Sequence, residues 1–552
     1  MSGPMTDPMT APPTGPMASP MPQPTPRQPP QTAPMQPGTT RTIALPDTAA
    51  TEALAHELSL FVRPGDTICL GGDLGTGKTT LARALIRALA GDAALEVPSP
   101  TFTLVQSYDT PRMAVCHVDL YRIADAGEVA ELGLADMARD ALVIVEWPER
   151  AGGALPADRL DILLEETDTG TDGSAGGSAD ERRATLAGHG RWAATVARMA
   201  AIEGFLERAG WASAERRFLQ GDASARRYEA LHLAGHVDVL LMDMPRQPDG
   251  PPVRDGLPYS RIAHLAEDVR PVVAIGGALR RIGLSAPAIH ACDMGHGLLL
   301  IERLDGEVYG DMARRGADMG EPMTAAVDVL IAIARAGLAP TMALPDGTDY
   351  TVPPFDRAAR EIEAGLLLDW FWPFRLGSAP SGDAAHAFRE AWRAVWPAVE
   401  TGETAWILRD YHSPNLIWLP DREAEARVGL IDYQDAVIGH PAYDLASLLQ
   451  DARIDVAQET ERDLLDYYLA RREAEEPGFD AAAFRAAYAV IAAQRATKIL
   501  GIFARLKERD GKPGYLRHLP RVSHYLERNL QHEALGPVRD WFAAHLPQNI
   551  RI

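Results

Sequence analysis

The sequence is poor in cysteine. It holds three, Cys69, Cys116 and Cys292, and none stands at metal-ligand spacing from another. That excludes a disulfide framework and a zinc module, and leaves three buried thiols in a reducing compartment as the expectation. Long apolar runs are also missing: no stretch approaches the ~20 residues a membrane span requires. The N-terminus has neither the basic start nor the apolar core of a secretory signal, so a cytoplasmic protein with no membrane partner is expected. Positive charge is in deficit, with 54 Lys and Arg against 76 Asp and Glu and a net charge of -22. Such a chain does not bind a nucleic-acid backbone by electrostatics alone, although it can join a complex that acts on RNA. Large aliphatic residues are scarce over residues 1–40, which are rich in Pro, Met, Thr and Gln. A segment of that kind buries too little to offset its ordering entropy, and a disordered tail is expected there.

What is present is an ordinary apolar fraction of 46% over 552 residues, enough for two or three cores. The first folded region begins near Arg41. A helical spacing at Leu54, Leu58 and Phe61 precedes a short strand, residues 66–70. The strand runs into GGDLGTGKTT, residues 71–80, and Leu81, Leu85 and Leu89 then share one helix face up to Gly91. Strand, glycine loop and helix are the context a phosphate-cradling loop requires, because glycines let backbone N–H groups approach the phosphates. In this pattern Lys78 reaches the β- and γ-phosphates and Thr79 ligates Mg²⁺. A plain glycine turn would not need the full GxxxxGKT string. Two further apolar runs end in acids, Asp119 and Glu146. A carboxylate at the end of a buried parallel strand is where such folds hold Mg²⁺ and water.

The runs GDLGTGKTT, VPSPTFTLV (97–105), HVDLYR (117–122), ELGL (131–134) and IVEWPER (144–150) occur in that order. Together they resemble the TsaE family, the bacterial ATPase subunit of tRNA threonylcarbamoyladenosine synthesis. The resemblance covers about residues 41–198. It implies an ATPase that works with a threonylcarbamoyltransferase subunit and its dimerising partner (TsaD- and TsaB-like), and that meets tRNA only indirectly. Carried over by motif, Gly75, Thr76, Gly77, Lys78, Thr79 and Thr80 bind ATP. Thr79 and Glu146 bind Mg²⁺, while Asp119 and residues 99–101 face the γ-phosphate as a switch. Thr48 is a weaker transfer as a nucleotide contact. Residues 159–164 and 183–187 read as a hairpin around a Gly/Ser/Thr/Asp-rich insertion at 167–180, with the domain boundary near residue 200.

From Ala201 the pattern restarts. Residues 229–233 and 237–242 read as a hairpin, preceded by the turn Gly221-Asp222-Ala223-Ser224 and by Arg226 and Arg227. Residues 297–302 take the place of the hinge that meets adenine. Residues 405–432 contain three short apolar runs that deliver Asp410, Asn415 and Asp432 to their ends. This is the layout of a kinase catalytic loop: one carboxylate takes the proton of the attacking hydroxyl, and an amide and a second carboxylate hold Mg²⁺. Asp444 sits at a helix start and is expected to cap it, and His440 is expected to be structural. His412, two residues after Asp410, is open to either role.

LRDYHSPN, IDYQDAVIGHPAYDLASLL and GDASARRY together resemble the aminoglycoside phosphotransferase superfamily, and within it the anomeric kinases of N-acetylmuramate and N-acetylglucosamine. The resemblance covers about residues 199–545. It implies an ATP-dependent sugar kinase with Asp410 as catalytic base and Asn415 and Asp432 as Mg²⁺ ligands. Two departures stand out. Leu408 replaces the His that opens the catalytic loop, and the strand 237–242 has no Lys for the ATP phosphates, with no partner Glu in the helix 272–282. The phosphate contact is then expected from Arg226 or Arg227. The fold expected is α/β: a P-loop domain with a parallel sheet, then a two-lobed kinase-like α+β domain. The functional expectation is a tRNA-modification ATPase fused to an amino-sugar kinase using ATP and Mg²⁺. The alternatives are an ATPase with a non-catalytic regulatory kinase-like domain, or an aminoglycoside-type phosphotransferase.

Overall fold

A computed structural model describes residues 39–123, 126–167, 181–219 and 226–547. The tail 1–38, most of the 167–180 insertion and the turn 221–224 lie outside the described residues. The chain forms two compact units, Met1–Arg198 and Met199–Ile552.

Unit 1 is built on a seven-stranded sheet. Its strands are β1 (Thr39–Leu45), β2 (Thr67–Gly71), β3 (Val105–Asp109), β4 (Ala114–Asp119), β5 (Ala141–Glu146), β6 (Arg159–Glu166) and β7 (Arg182–His189). The order is β1-β7-β6-β2-β5-β4-β3, with β6, β2, β5 and β4 parallel and the outer strands antiparallel. Strand β5 is buried at all six positions, as a central parallel strand covered on both faces must be. Helix α1 (Thr48–Phe61) is capped by Asp47, whose carboxylate accepts from the Ala50 N–H. Helix α2 (Lys78–Ala90) buries Leu81, Leu85, Ile86 and Leu89. Each such side chain contributes roughly 1.5–3 kcal/mol of burial. Gly91, in the left-handed conformation, ends α2.

Because β2, β4 and β5 are parallel, the loop after β2, Asp119 and Glu146 all lie at one edge of the sheet. Asp119 and Glu146 are direct register partners. The chemistry is therefore gathered at the carboxyl ends of the strands, where α/β sheets place it.

Unit 2 opens with a five-stranded antiparallel sheet. Its order is Ile289–Asp293, Leu298–Glu302, Val239–Asp243, Arg227–His232 and Glu215–Leu219. Helix Arg270–Arg281 packs seven buried residues, among them Ile275 and Leu279, into the unit's apolar core. The remainder is mainly helical and is centred on the 28-residue helix Ala481–Glu508. The catalytic-loop region uses two small sheets. Strand Ala405–Ile407 pairs with Val437–Gly439, and Leu416–Trp418 pairs with Val428–Leu430. Of the three cysteines only Cys69 is buried, and the expectation of buried thiols fails for Cys116 and Cys292, which are half-buried.

Candidate active sites

In unit 1 the loop between β2 and α2 is shaped by glycines. Gly72 has φ 129°, and a Cβ there would stand 2.3 Å from the Leu164 carbonyl oxygen, so no side chain fits. Gly77 begins α2 at φ 101°. Lys78 is buried, and its Nζ donates to the carbonyl oxygens of Gly72 and Asp73, both at 2.7 Å. The same ammonium lies 3.7 Å from the centre of the Trp147 ring. Burial pulls Lys78 below the ordinary lysine range, against the pull of Glu146 and Glu149.

Thr79 Oγ1 donates to Glu146 Oε2 at 2.9 Å, and the other Glu146 oxygen meets His117 Nε2 at 2.9 Å. Asp119 Oδ2 accepts from Ser99 Oγ at 2.7 Å and Thr101 Oγ1 at 2.9 Å, while Oδ1 accepts the Tyr121 N–H. A cleft of about 460 Å³ is lined by Gly75, Gly77, Lys78, Thr79, Thr80, Ser99, Thr101, Asp119 and Glu146, with Trp147 and Tyr121 at its side. Thr76 is buried and donates to the Asp73 carbonyl, bracing the loop. Thr48, exposed at the first position of α1, is not among the residues lining this cleft. The sequence reasoning missed His117 and Trp147. His117 was legible, since it stands two residues before Asp119 on one strand and so on the same face.

In unit 2 a cleft of about 480 Å³ is lined by the apolar residues Met242, Val272, Ile301 and Ile431 together with Arg226, Asp410, Asn415 and Asp432. The Asn415 amide donates to Asp432 Oδ2 at 3.3 Å and to the Asp410 carbonyl at 3.0 Å. Arg226 forms an ion pair with Asp432 and donates to Gln434 Oε1 at 2.8 Å. Arg227 turns elsewhere. It pairs with the buried Glu229 at 3.1 Å and Asp243 at 3.0 Å. Of the two arginines expected at the phosphates, the structure therefore brings only Arg226 to the Mg²⁺-type pair.

The catalytic loop is braced from below. Asp444 does not cap its own helix, contrary to expectation. Its carboxylate accepts the backbone N–H groups of Leu408 and Arg409. Those donors come from a left-handed turn at Arg409, φ 67°, which points them at one buried acceptor. The Arg409 guanidinium pairs with the fully buried Glu363, which also takes Lys498 at 2.7 Å and Gln494 at 3.0 Å. Burial works against the Asp410 charge, but His412, Lys498, Arg409 and Arg495 outweigh it and hold the carboxyl below its ordinary range. Burial, followed by Arg453, lowers His412. Arg453 lies 3.2 Å from His412 Nε2 and the Asp410 carboxylate 3.8 Å from it.

A P-loop nucleotide site in unit 1 and a kinase-type cleft in unit 2 define the class: a chain with two phosphate-handling units. The family model of threonylcarbamoyl adenosine biosynthesis protein TsaE matches residues 45–173, and that of the phosphotransferase enzyme family matches residues 215–485. The N-acetylmuramate/N-acetylglucosamine kinase of Caulobacter vibrioides is 40% identical over 367 residues, 64% of this chain and 98% of that protein. Its counterpart in Pseudomonas putida is 31% identical over 316 residues, 55% of this chain and 80% of that protein. The tRNA threonylcarbamoyladenosine biosynthesis protein TsaE of Rickettsia bellii is 35% identical over 118 residues, 21% of this chain and 81% of that protein. The chain belongs to both families, TsaE through its first unit and the N-acetylmuramate/N-acetylglucosamine kinases through its second. Both families use ATP. Among the described residues no helix is long and apolar enough to cross a membrane.

Proposed function

We propose that this chain carries two ATP-dependent activities: the ATPase of tRNA threonylcarbamoyladenosine synthesis, and phosphorylation of an N-acetylated amino sugar of the N-acetylmuramate or N-acetylglucosamine type. The observation that carries the reading is the pair of oxygen clusters, each beside a cation. One is Thr79 and Glu146 beside Lys78, and the other is Asn415 and Asp432 beside Arg226. Hydroxyl, amide and carboxylate oxygens at the mouth of a phosphate site suit Mg²⁺, which takes one or two protein ligands and keeps several waters. Thr79 and Glu146 would hold it in the first unit, Asn415 and Asp432 in the second. When bound, it neutralises phosphate charge as the bond to the γ-phosphorus breaks.

In the first unit Lys78 exchanges its two carbonyl partners for phosphate oxygens. Asp119, fixed by Ser99, Thr101 and the Tyr121 N–H, orients water at the γ-phosphate. The partners that complete turnover would be threonylcarbamoyltransferase-type subunits. In the second unit the ionised Asp410 accepts the proton of the sugar's anomeric hydroxyl. The oxygen bonds to the γ-phosphorus, and ADP leaves with Arg226 beside the phosphates. An ionised base opening into the same cleft as the metal-type pair favours an active kinase over a regulatory module.

The test is a phosphate-transfer assay on the full chain carrying Lys78→Ala, with Mg²⁺-ATP and each sugar. Sugar-dependent ADP and a sugar phosphate are expected, and both vanish when Asp410→Ala is added. Transfer to neither sugar would remove the kinase reading. Normal threonylcarbamoyladenosine in cells carrying only Lys78→Ala would remove the ATPase reading.

A further inference from the structure

Beside the catalytic loop lies a second cleft, of about 630 Å³, whose lining includes Arg314, Arg453, Lys512, Arg517 and His518 and no carboxylate. It shares Pro414 and Arg453 with the nucleotide cleft, which Asp410 and His412 also line, so the two clefts adjoin. In a chain of net charge -22 this concentration of one sign is the reverse of the average surface. Nearby acids are already committed. Asp451 accepts the backbone N–H groups of Ser413 and Arg453, Asp455 pairs with Arg521, and Asp311 with Arg314. Among the described residues Arg453, Lys512 and Arg517 form no ion pair with a carboxylate, and the polar contacts of the two arginine side chains are to the imidazoles of His412 and His518. The positive field is felt by His518 itself, which burial and then Arg517, Arg521 and Arg453 hold below the ordinary histidine range.

We propose that this cleft is the acceptor subsite for an anionic substituent, and that Arg453, Lys512 and Arg517 select a carboxylate-bearing amino sugar over its neutral analogue. The proposal rests on the kinase reading of unit 2 and says which of the two sugars the site is built to hold. An acidic group on the sugar meets preformed donors, and an arginine can grip a carboxylate with two parallel N–H bonds. A polycationic aminoglycoside would meet like charge in the same cleft, which argues against that class of acceptor.

The measurement is kcat/KM of the full chain for N-acetylmuramate, which carries a carboxylate, and for N-acetylglucosamine, which does not, with kanamycin as a third acceptor. The readout is the ratio between the two sugars. Wild type is expected to favour N-acetylmuramate, and Lys512→Gln with Arg517→Gln to lower the ratio by about tenfold or more, since hydrogen bonds to charged groups are lost. The charge-keeping pair Lys512→Arg and Arg517→Lys should recover most of it, which separates a field effect from damage to the fold. Raising the ionic strength should lower the ratio in wild type and lower it less in the Gln variant, which keeps Arg453. A ratio unchanged by the Gln substitutions, with both sugars still phosphorylated, overturns the subsite and leaves the kinase standing. Efficient transfer to kanamycin overturns it as well. Transfer to neither sugar removes the kinase reading, and the subsite with it.

Discussion

The two phosphate sites of this chain are assembled in opposite ways. In unit 1 the cradle is one continuous string from Gly72 to Thr80, and only Asp119, Glu146 and their partners come from elsewhere on the same sheet edge. In unit 2 the corresponding groups are the charged Arg226, Asp410 and Asp432 and the amide of Asn415, spread over some two hundred residues. The difference follows from what each site uses. A P-loop works with backbone N–H groups and a helix N-terminus, so its requirement is conformational and glycines must stand at fixed spacing. A kinase cleft works with side-chain charges, which any nearby element can supply. The first design therefore tolerates little change of sequence, whereas the second can lose its strand lysine and take a cation from another element.

The sharpest way to break this comparison is to inactivate one site and read the other. Asp410→Ala should lower sugar-dependent turnover by about 10²–10⁴-fold, the range for a removed general base. ATP hydrolysis in the presence of the tRNA-modification partners should remain at the wild-type rate. Lys78→Ala should do the reverse, lowering that hydrolysis by about 10²–10³-fold, as for loss of one preorganised charge contact. Coupled loss of both activities in either variant, with the thermal unfolding profile unchanged, would contradict two independent sites.

A second contrast concerns buried histidines. His117 in unit 1 faces the Glu146 carboxylate, while His440 in unit 2 accepts the Ala442 N–H through Nδ1 and packs on Phe484, with the charge of Arg472 acting on it. Burial, reinforced by Arg472, pushes His440 down from 6.5 to about 4. The unfolded chain therefore takes up a proton that the folded unit refuses. The stabilisation is complete above pH about 6.5 and is lost as the pH falls toward 4, amounting to on the order of 3 kcal/mol. Urea unfolding of the full chain, followed by signals from unit 2 between pH 7 and 4.5, should show that slope in wild type and a shallower one in His440→Phe. Parallel curves for the two would exclude His440 as the source.

How much of this could be read beforehand depended on distance along the chain. The P-loop, the strands ending in Asp119 and Glu146, and the hairpin of β6 and β7 follow from local spacing and turn residues, and the structure has them all. The catalytic-loop residues were legible because Asp410 and Asn415 lie within six positions. The supports were not. Glu363 gathers Arg409 from the catalytic loop and Gln494 and Lys498 from the helix Ala481–Glu508, both far away in sequence, and as a glutamate among apolar helix positions it gave no signal of its own. Asp444 looked like a helix cap because its position is right for one. Only the left-handed turn at Arg409 shows that other N–H groups reach it first. The basic cleft joins residues 314, 453, 512 and 517, which no local pattern links.

The smallest expected effect bears on the replacement itself. Position 242, on the strand where a kinase carries its phosphate lysine, is a buried methionine that lines the nucleotide cleft. Arg226 stands instead just before the neighbouring strand, paired with Asp432 and Gln434. A guanidinium there can touch carboxylate and phosphate together through its fork, whereas an ammonium on a shorter reach is a single point charge. Arg226→Lys should therefore raise KM for ATP by about tenfold, the worth of one charge-assisted hydrogen bond, while leaving sugar KM near wild type. Arg226→Ala should raise it further and lower kcat. An unchanged KM for ATP in both variants would mean that the phosphates are held by backbone donors alone, and the two sites would then be more alike in principle than their sequences suggest.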